Sequence, residues 1–254
     1  MFDRSIRCLH PMLPFSREQF VGVFADYNSL LGPLHSAAPL LGLVLVVLLA
    51  YPSAGRERLI GIGLAALWIW TGIVYHGLYF ARINPAAWLF AALFVLQGGL
   101  LLHAAIAREE LRFKAGHGAA RVAGWALIAY AVVLYPIVGL LSGQPFAELP
   151  AFGLTPCPLT LTTLGCLLLT GPSTPRMLWP IPLVWSLVGG SAAIVLAMPQ
   201  DWPLLAAGVG AAALLWLGHE QAGAPALAAP PQPADGIRSG SSRDDPDPMR
   251  TARH

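Results

Sequence analysis

The chain has 254 residues, of which 56% are hydrophobic and 11% are charged, and its formal net charge is +2. A soluble domain carries about 25% charged residues because its surface faces water. This composition therefore excludes an ordinary soluble fold, and the small net charge gives no reason to expect a nucleic-acid partner. We predict an all-α integral membrane protein whose main partner is the lipid bilayer.

Residues 1–32 form an N-terminal segment that contains a short amphipathic helix. Ser16 is followed three positions later by Gln19, which is the pattern of a capping box at the start of a helix. Phe20, Phe24 and Tyr27 then recur at helical spacing on one face. A helix over 15–30 with such a face either lies on the membrane surface or packs onto the bundle as a cap.

Seven apolar stretches approach the ~20 residues that a helix needs to cross the hydrocarbon core. They cover 33–51, 59–81, 86–107, 122–141, 154–171, 177–197 and 202–218. We predict a polytopic bundle of about seven transmembrane helices over 33–220. Residues 221–254 are rich in Ala, Pro, Gly, Ser and Asp, and such a tail is predicted to be disordered because it has too little apolar surface to bury.

The basic residues predict the orientation of the chain. With seven spans, Arg4, Arg7, Arg17 and Arg82 fall on the side of the N-terminus, and the other eleven of the 15 Lys and Arg residues fall on the side of the tail. Cytoplasmic loops of membrane proteins carry an excess of Lys and Arg. The N-terminus is therefore predicted to lie outside and the tail in the cytoplasm.

Two Pro-x-x-Trp sequences at corresponding positions raise the hypothesis of an internal repeat. Pro85 precedes Trp88 at the start of the third span, and Pro199 precedes Trp202 at the start of the seventh. Two parallel three-helix units joined by the fourth span, a 3+1+3 arrangement, would produce this pattern. Enrichment of aromatic residues at membrane interfaces explains the same pattern without a repeat.

Polar side chains inside apolar spans are the candidates for function, because each needs a partner or a water-filled cavity. In the predicted topology several of them reach one depth near the outer face, and the Pro-Cys-Pro sequence at 156–158 is expected to unwind the first turn of the fifth span. We predict a polar cavity open to the outside and centred on His76. Its expected members are His35, Tyr75, His76, Tyr79, Arg82, Tyr135 and Cys157.

A purely structural interpretation accounts for the same residues. His76 would bond Tyr135 or a backbone carbonyl and hold helices together, and Gln97 in the third span would do the same. Gln97 is also a candidate for substrate contact. Cys157 and Cys166 lie nine positions apart and so point to opposite faces of one helix, about 13 Å apart along its axis. We predict no metal site, no cofactor and no catalytic residue.

The sequence resembles a bacterial membrane family catalogued as domain of unknown function 6064. The matching stretches are 15–20 with Tyr27 and Asn28, 74–76, 83–87, 97–98, 135–136, 152–153 with 156–158, 181–182 with Trp185, 189–193 and 199–201. The resemblance implies a multi-span protein of a bacterial cytoplasmic (inner) membrane. It implies no substrate and no mechanism.

Three classes of function are compatible with these features. A permease-like carrier or channel for a small solute or ion is favoured by the polar groups at one depth. A membrane accessory or sensor protein would act through a partner that binds its N-terminal helix and cytoplasmic loops. A membrane-embedded enzyme ranks third, because no pair of carboxylates and no metal-binding or nucleophile motif lies within the spans.

Overall fold

The computed structural model describes residues 13–107, 111–113, 118–170 and 174–223, and these residues form helices and no strands. The all-α prediction is confirmed for this part of the chain. Residues 1–12, most of the basic loop after residue 107 and the tail beyond Gly223 lie outside the described residues. The α-helices are α1 Arg17–Leu31, α2 Pro33–Ala50, α3 Arg56–Trp70, α4 Ala87–Ile106, α5 Gly118–Ala129, α6 Tyr135–Leu141, α7 Pro156–Thr170, α8 Pro180–Val195 and α9 Trp202–Gly223.

Five helical segments among the described residues are long and apolar enough to cross a membrane. They are Pro33–Ala50, Arg56–Arg82, Ala87–Ile106, Gly118–Leu141 and Arg176–Val195. These segments match the first four predicted spans and the sixth. The total of seven spans and the 3+1+3 repeat stay predictions.

Helix α7, within the fifth predicted span, is the central helix of the bundle. All of its residues except Cys157 are buried, and it contacts α3, α5, α8 and α9. The hydroxyls of Thr162 and Thr163 donate to carbonyls four residues back, at 2.7 and 2.8 Å, which lets these polar residues be buried. With 15 residues, α7 is about 22 Å long and shorter than the ~30 Å hydrocarbon core.

The first turn of α7 is helical and not unwound as predicted. The helix begins at Pro156, with Pro158 two positions later. Proline fits the first turn of a helix because the N–H that it lacks would have no partner there. The Pro-Cys-Pro sequence therefore forms a regular first turn of the helix. The prediction that this turn is unwound was wrong.

Two of the candidate membrane-spanning segments contain π-helical stretches. One is Thr71–Tyr79, which continues α3, and the other is Tyr130–Leu134, which joins α5 to α6. Pro136 has no N–H to donate to the carbonyl four residues earlier, and the second π stretch ends two residues before it, at Leu134. Short π segments are frequent at functional sites.

Close approaches between helices occur at glycines, as is common in membrane bundles. A Cβ added to Gly124 in α5 would come within 2.8 Å of the Gly165 carbonyl oxygen in α7, and the reverse distance is also 2.8 Å. A Cβ on Gly190 in α8 would lie 2.8 Å from the backbone nitrogen of Leu205 in α9. Residues without side chains at these points allow the backbones to touch.

Helix α1 caps one end of the bundle. The capping box is confirmed, with Ser16 and Gln19 exchanging hydrogen bonds of 2.8 and 3.2 Å. The Tyr27 hydroxyl donates to the Leu154 carbonyl at 2.7 Å, and burial raises the pKa of Tyr27 well above its usual value. Arg17 donates to the Leu196 carbonyl at 3.1 Å. The apolar face of α1 thus packs on the bundle, as the second of the two predicted arrangements describes.

Candidate functional site

A cavity of about 360 Å³ lies beneath α1, at the end of the bundle where α7 begins. Thr155, Pro156 and Cys157 line it at the start of α7. Residues of α1, of the π segment after α3, of α4, of α6 and of α8 complete the wall. Eight of the 22 lining residues are aromatic: Phe15, Phe20, Phe24, Tyr75, Phe80, Phe90, Tyr135 and Trp185.

One buried carboxyl group faces this cavity. Asp201 is 2% exposed, and its side chain accepts a 2.5 Å hydrogen bond from the Tyr135 hydroxyl. Burial raises the pKa of Asp201 to about 6, while the Tyr135 hydroxyl and the Cys157 thiol act in the opposite direction. The carboxyl group therefore changes its charge near neutral pH, which is uncommon for an aspartate.

A short 3₁₀ turn, Pro199–Asp201, holds this carboxyl in place between α8 and α9. The Asp201 N–H donates to the Met198 carbonyl at 3.0 Å. The neighbouring Gln200 is buried; its carbonyl accepts from the Tyr130 hydroxyl at 2.9 Å, and its amide donates to Gln144 at 2.7 Å. The turn is fixed by hydrogen bonds on both sides of its backbone, so the orientation of Asp201 is defined by the fold.

His76 lies behind the cavity wall in a cluster of aromatic rings. Its ring centroid is 4.6 Å from that of Phe94, 5.0 Å from that of Trp185 and 5.8 Å from that of Phe90. The side chain is fully buried, and neither ring nitrogen has a hydrogen-bond partner among the described residues. Trp185 belongs to both places, because it contacts His76 and also lines the cavity.

The comparisons with known proteins give a family and nothing more specific. A model described as "Family of unknown function (DUF6064)" matches residues 17–224. The chain belongs to this family. No curated protein and no solved structure matches the chain.

In this DUF6064 protein the residues predicted from the sequence divide into two groups. Tyr75, Tyr135 and Cys157 line the cavity, whereas His76 does not, so the cavity is not centred on the histidine. The remaining residues have other contacts.

His35 lies 3.1 Å from the Leu149 carbonyl, and its ring packs on Phe146. Gln97 donates to the Leu178 carbonyl at 3.0 Å, away from the cavity.

Tyr79 and Arg82 lie next to each other at the end of the candidate span Arg56–Arg82. The Arg82 guanidinium carbon is 4.6 Å from the centre of the Tyr79 ring, and Tyr79 also packs against Tyr27. Neither residue lines the cavity. Both residues were predicted to line the cavity; the structure places them at the same end of the bundle but not in its wall.

Asp201 lines the cavity but was not among the site residues predicted from the sequence. An aspartate in a short connection between two spans is normally solvated, and only the distance to Tyr135 reveals that this one is enclosed. A signal was present, because 199–201 is one of the stretches that carry the DUF6064 resemblance.

Proposed function

We propose that the protein is a membrane carrier that binds a small, largely apolar solute in the cavity between α1 and the start of α7. The proposal includes the predicted seven spans, a bacterial cytoplasmic membrane, and an N-terminus on the outside. In that orientation the cavity lies at the outer end of the bundle.

The observation that carries the proposal is the cavity itself. Its volume of about 360 Å³ falls within the ~300–1,000 Å³ range of small-molecule sites, which are mostly apolar with a few placed polar groups. The aromatic wall and the buried Asp201 have this composition. Protein interiors are otherwise closely packed, so a space of this size is unusual for a purely structural bundle.

The position of α1 supports a solute site over a partner-binding role for this helix. Phe15, Phe20 and Phe24 point into the cavity wall, and Tyr27 is fully buried. The aromatic residues of its apolar face are therefore already used within the chain. This weakens the accessory role that depended on the N-terminal helix.

A binding screen with a blocked cavity tests the proposal. Purified protein in detergent is melted with libraries of apolar solutes, amines, amino acids and sugars, because a ligand that binds only the folded state raises the melting temperature. Ala192→Phe adds a ring to the cavity wall, and Ala206→Phe adds the same ring to an exposed position of α9. Hits should persist in Ala206→Phe and disappear in Ala192→Phe.

Uptake into protein-containing lipid vesicles then separates carrier from sensor. A solute that binds in the cavity should accumulate in vesicles with the native protein, and the Ala192→Phe variant should reduce the rate to that of empty vesicles. Binding without uptake would contradict transport and support a sensor. Hits that survive the cavity-blocking substitution would contradict the cavity as the site.

A further inference from the structure

We propose that the cavity selects organic cations, namely amines or quaternary ammonium compounds with an apolar body, whose positive charge pairs with Asp201. This inference rests on the proposed binding function and names its ligand class.

The charge balance of the cavity is the first argument. Asp201 is the one carboxyl group that is buried among the described residues, and no described Lys, Arg or His lines the cavity with it. A buried ion without a counter-ion is costly, so the site gains most from a ligand that brings a positive charge. An anionic ligand would meet only the like charge of the carboxylate.

The aromatic wall is the second argument, and it is independent of Asp201. Eight aromatic side chains line the cavity, among them Trp185, Tyr75 and Phe90. The faces of such rings attract ammonium groups, and the attraction increases when water is excluded. An aromatic enclosure with one carboxylate is the arrangement that recognises substituted ammonium ions.

Other ligand classes fit the lining less well. A sugar needs many free hydrogen-bonding partners, but the Tyr135 and Thr155 hydroxyls of the lining already donate within the chain, to Asp201 and to the Ala151 carbonyl. A bare metal ion needs several donor atoms, and the described residues contain no group of three His, Cys, Asp or Glu side chains that could hold one.

Binding of a cation should be linked to a proton. The groups around Asp201 are Tyr135, Cys157 and Tyr130, with Tyr75 further along the wall, and tyrosine and cysteine ordinarily titrate above pH 8. Between pH 5 and 8 the carboxyl group of Asp201 is the one that changes charge, with its pKa raised to about 6 by burial. Below about pH 6 the carboxyl group is largely protonated, so a cation that pairs with it there must displace its proton.

A pair of ligands with the same shape tests the inference. Benzyltrimethylammonium carries a permanent positive charge, and neopentylbenzene is its neutral isostere. At pH 7.5 calorimetry on the native protein in detergent should give at least tenfold tighter binding of the cation. Below pH 6 its affinity should fall by up to tenfold per pH unit, because the ligand itself does not titrate.

Two carboxamide variants complete the test. Asp201→Asn should remove the preference for the cation and its pH dependence, whereas Asp26→Asn, at an exposed position of α1, should change neither. If Asp201→Asn does not fold, the pH series on the native protein decides. Equal or tighter binding of neopentylbenzene, a flat pH profile, or no binding of the cation would each overturn the cation inference. Neutral binding that Ala192→Phe removes would leave the proposed function intact.

Discussion

Asp201 and His76 are both almost completely buried, and Trp185 lies near each of them. The two sites differ in the hydrogen-bond partners and in the free space that surround the polar side chain. Asp201 has a hydrogen-bond donor in Tyr135 and open space beside it. His76 has rings on several sides and no hydrogen-bond partner among the described residues.

The comparison teaches that burial of an ionisable group does not by itself mark a site. A polar group without a partner in an apolar environment lowers stability. His76 lowers the stability of the fold and does not line the cavity. Asp201 has hydrogen-bond partners and also faces the cavity. We therefore expect substitutions at Asp201 to affect binding and pH dependence, and substitutions at His76 to affect stability.

The largest expected effect is the pH dependence that Asp201 gives to stability. Its pKa is about 6 in the folded protein and 3.8 ordinarily, so the folded state binds the proton more tightly. The contribution is complete below pH 3.8 and is lost as the pH rises through 6, a decrease in unfolding free energy of about 3 kcal/mol. Thermal melts of the native protein and Asp201→Asn between pH 4 and 8 measure it.

The Asp201→Asn profile should be flatter than the native profile by that amount. Asp26→Asn, which removes an exposed carboxyl group, should follow the native profile. Identical profiles for the native protein and Asp201→Asn would show that the carboxyl group is not enclosed as described.

Two histidine substitutions should change the free energy of unfolding by smaller amounts, with a gain at one position and a loss at the other. His76→Phe removes two ring nitrogens that lack partners, and we expect a gain of about 1–2 kcal/mol in unfolding free energy. His35→Phe removes the contact with the Leu149 carbonyl at 3.1 Å and should cost about 1 kcal/mol. Melting temperatures of both variants at pH 7.5 provide the check. A large loss of stability in His76→Phe would mean that His76 has a partner after all.

The smallest expected effect concerns Gln97, for which the sequence predicts a hydrogen bond that holds helices together. Its amide donates to the Leu178 carbonyl at 3.0 Å and joins α4 to the turn before α8. Hydrogen bonds between membrane helices are worth about 0.6 kcal/mol on average. Gln97→Leu should therefore lower the melting temperature only slightly and leave solute binding unchanged, whereas a loss of binding would place Gln97 at the site.

The sequence was most informative where a single physical rule decides. Apolar length identified each of the five candidate spans found among the described residues, and the capping box identified the start of α1. The topology predicted from the sequence also placed Tyr75, Tyr135 and Cys157 at one end of the bundle, because consecutive antiparallel spans have ends at the same depth.

What could not be predicted depends on contacts between distant segments. The short α7 has the apolar composition of a membrane span. Only its burial by the neighbouring helices shows that it is the central helix of the bundle. The π segment Thr71–Tyr79 leaves no mark in the hydrophobic pattern, although it sets the direction of His76. Asp201 meets Tyr135 across 66 positions of sequence, a pairing that no local pattern encodes.

The central helix α7 is shorter than a helical segment that packs around it. The neighbouring segment Arg56–Arg82 has 27 residues and extends about 40 Å, whereas α7 extends about 22 Å. The cavity lies between the first residues of α7 and α1. In the proposed carrier, a solute bound against Pro156 would face a helix of about 22 Å, which is shorter than the ~30 Å hydrocarbon core.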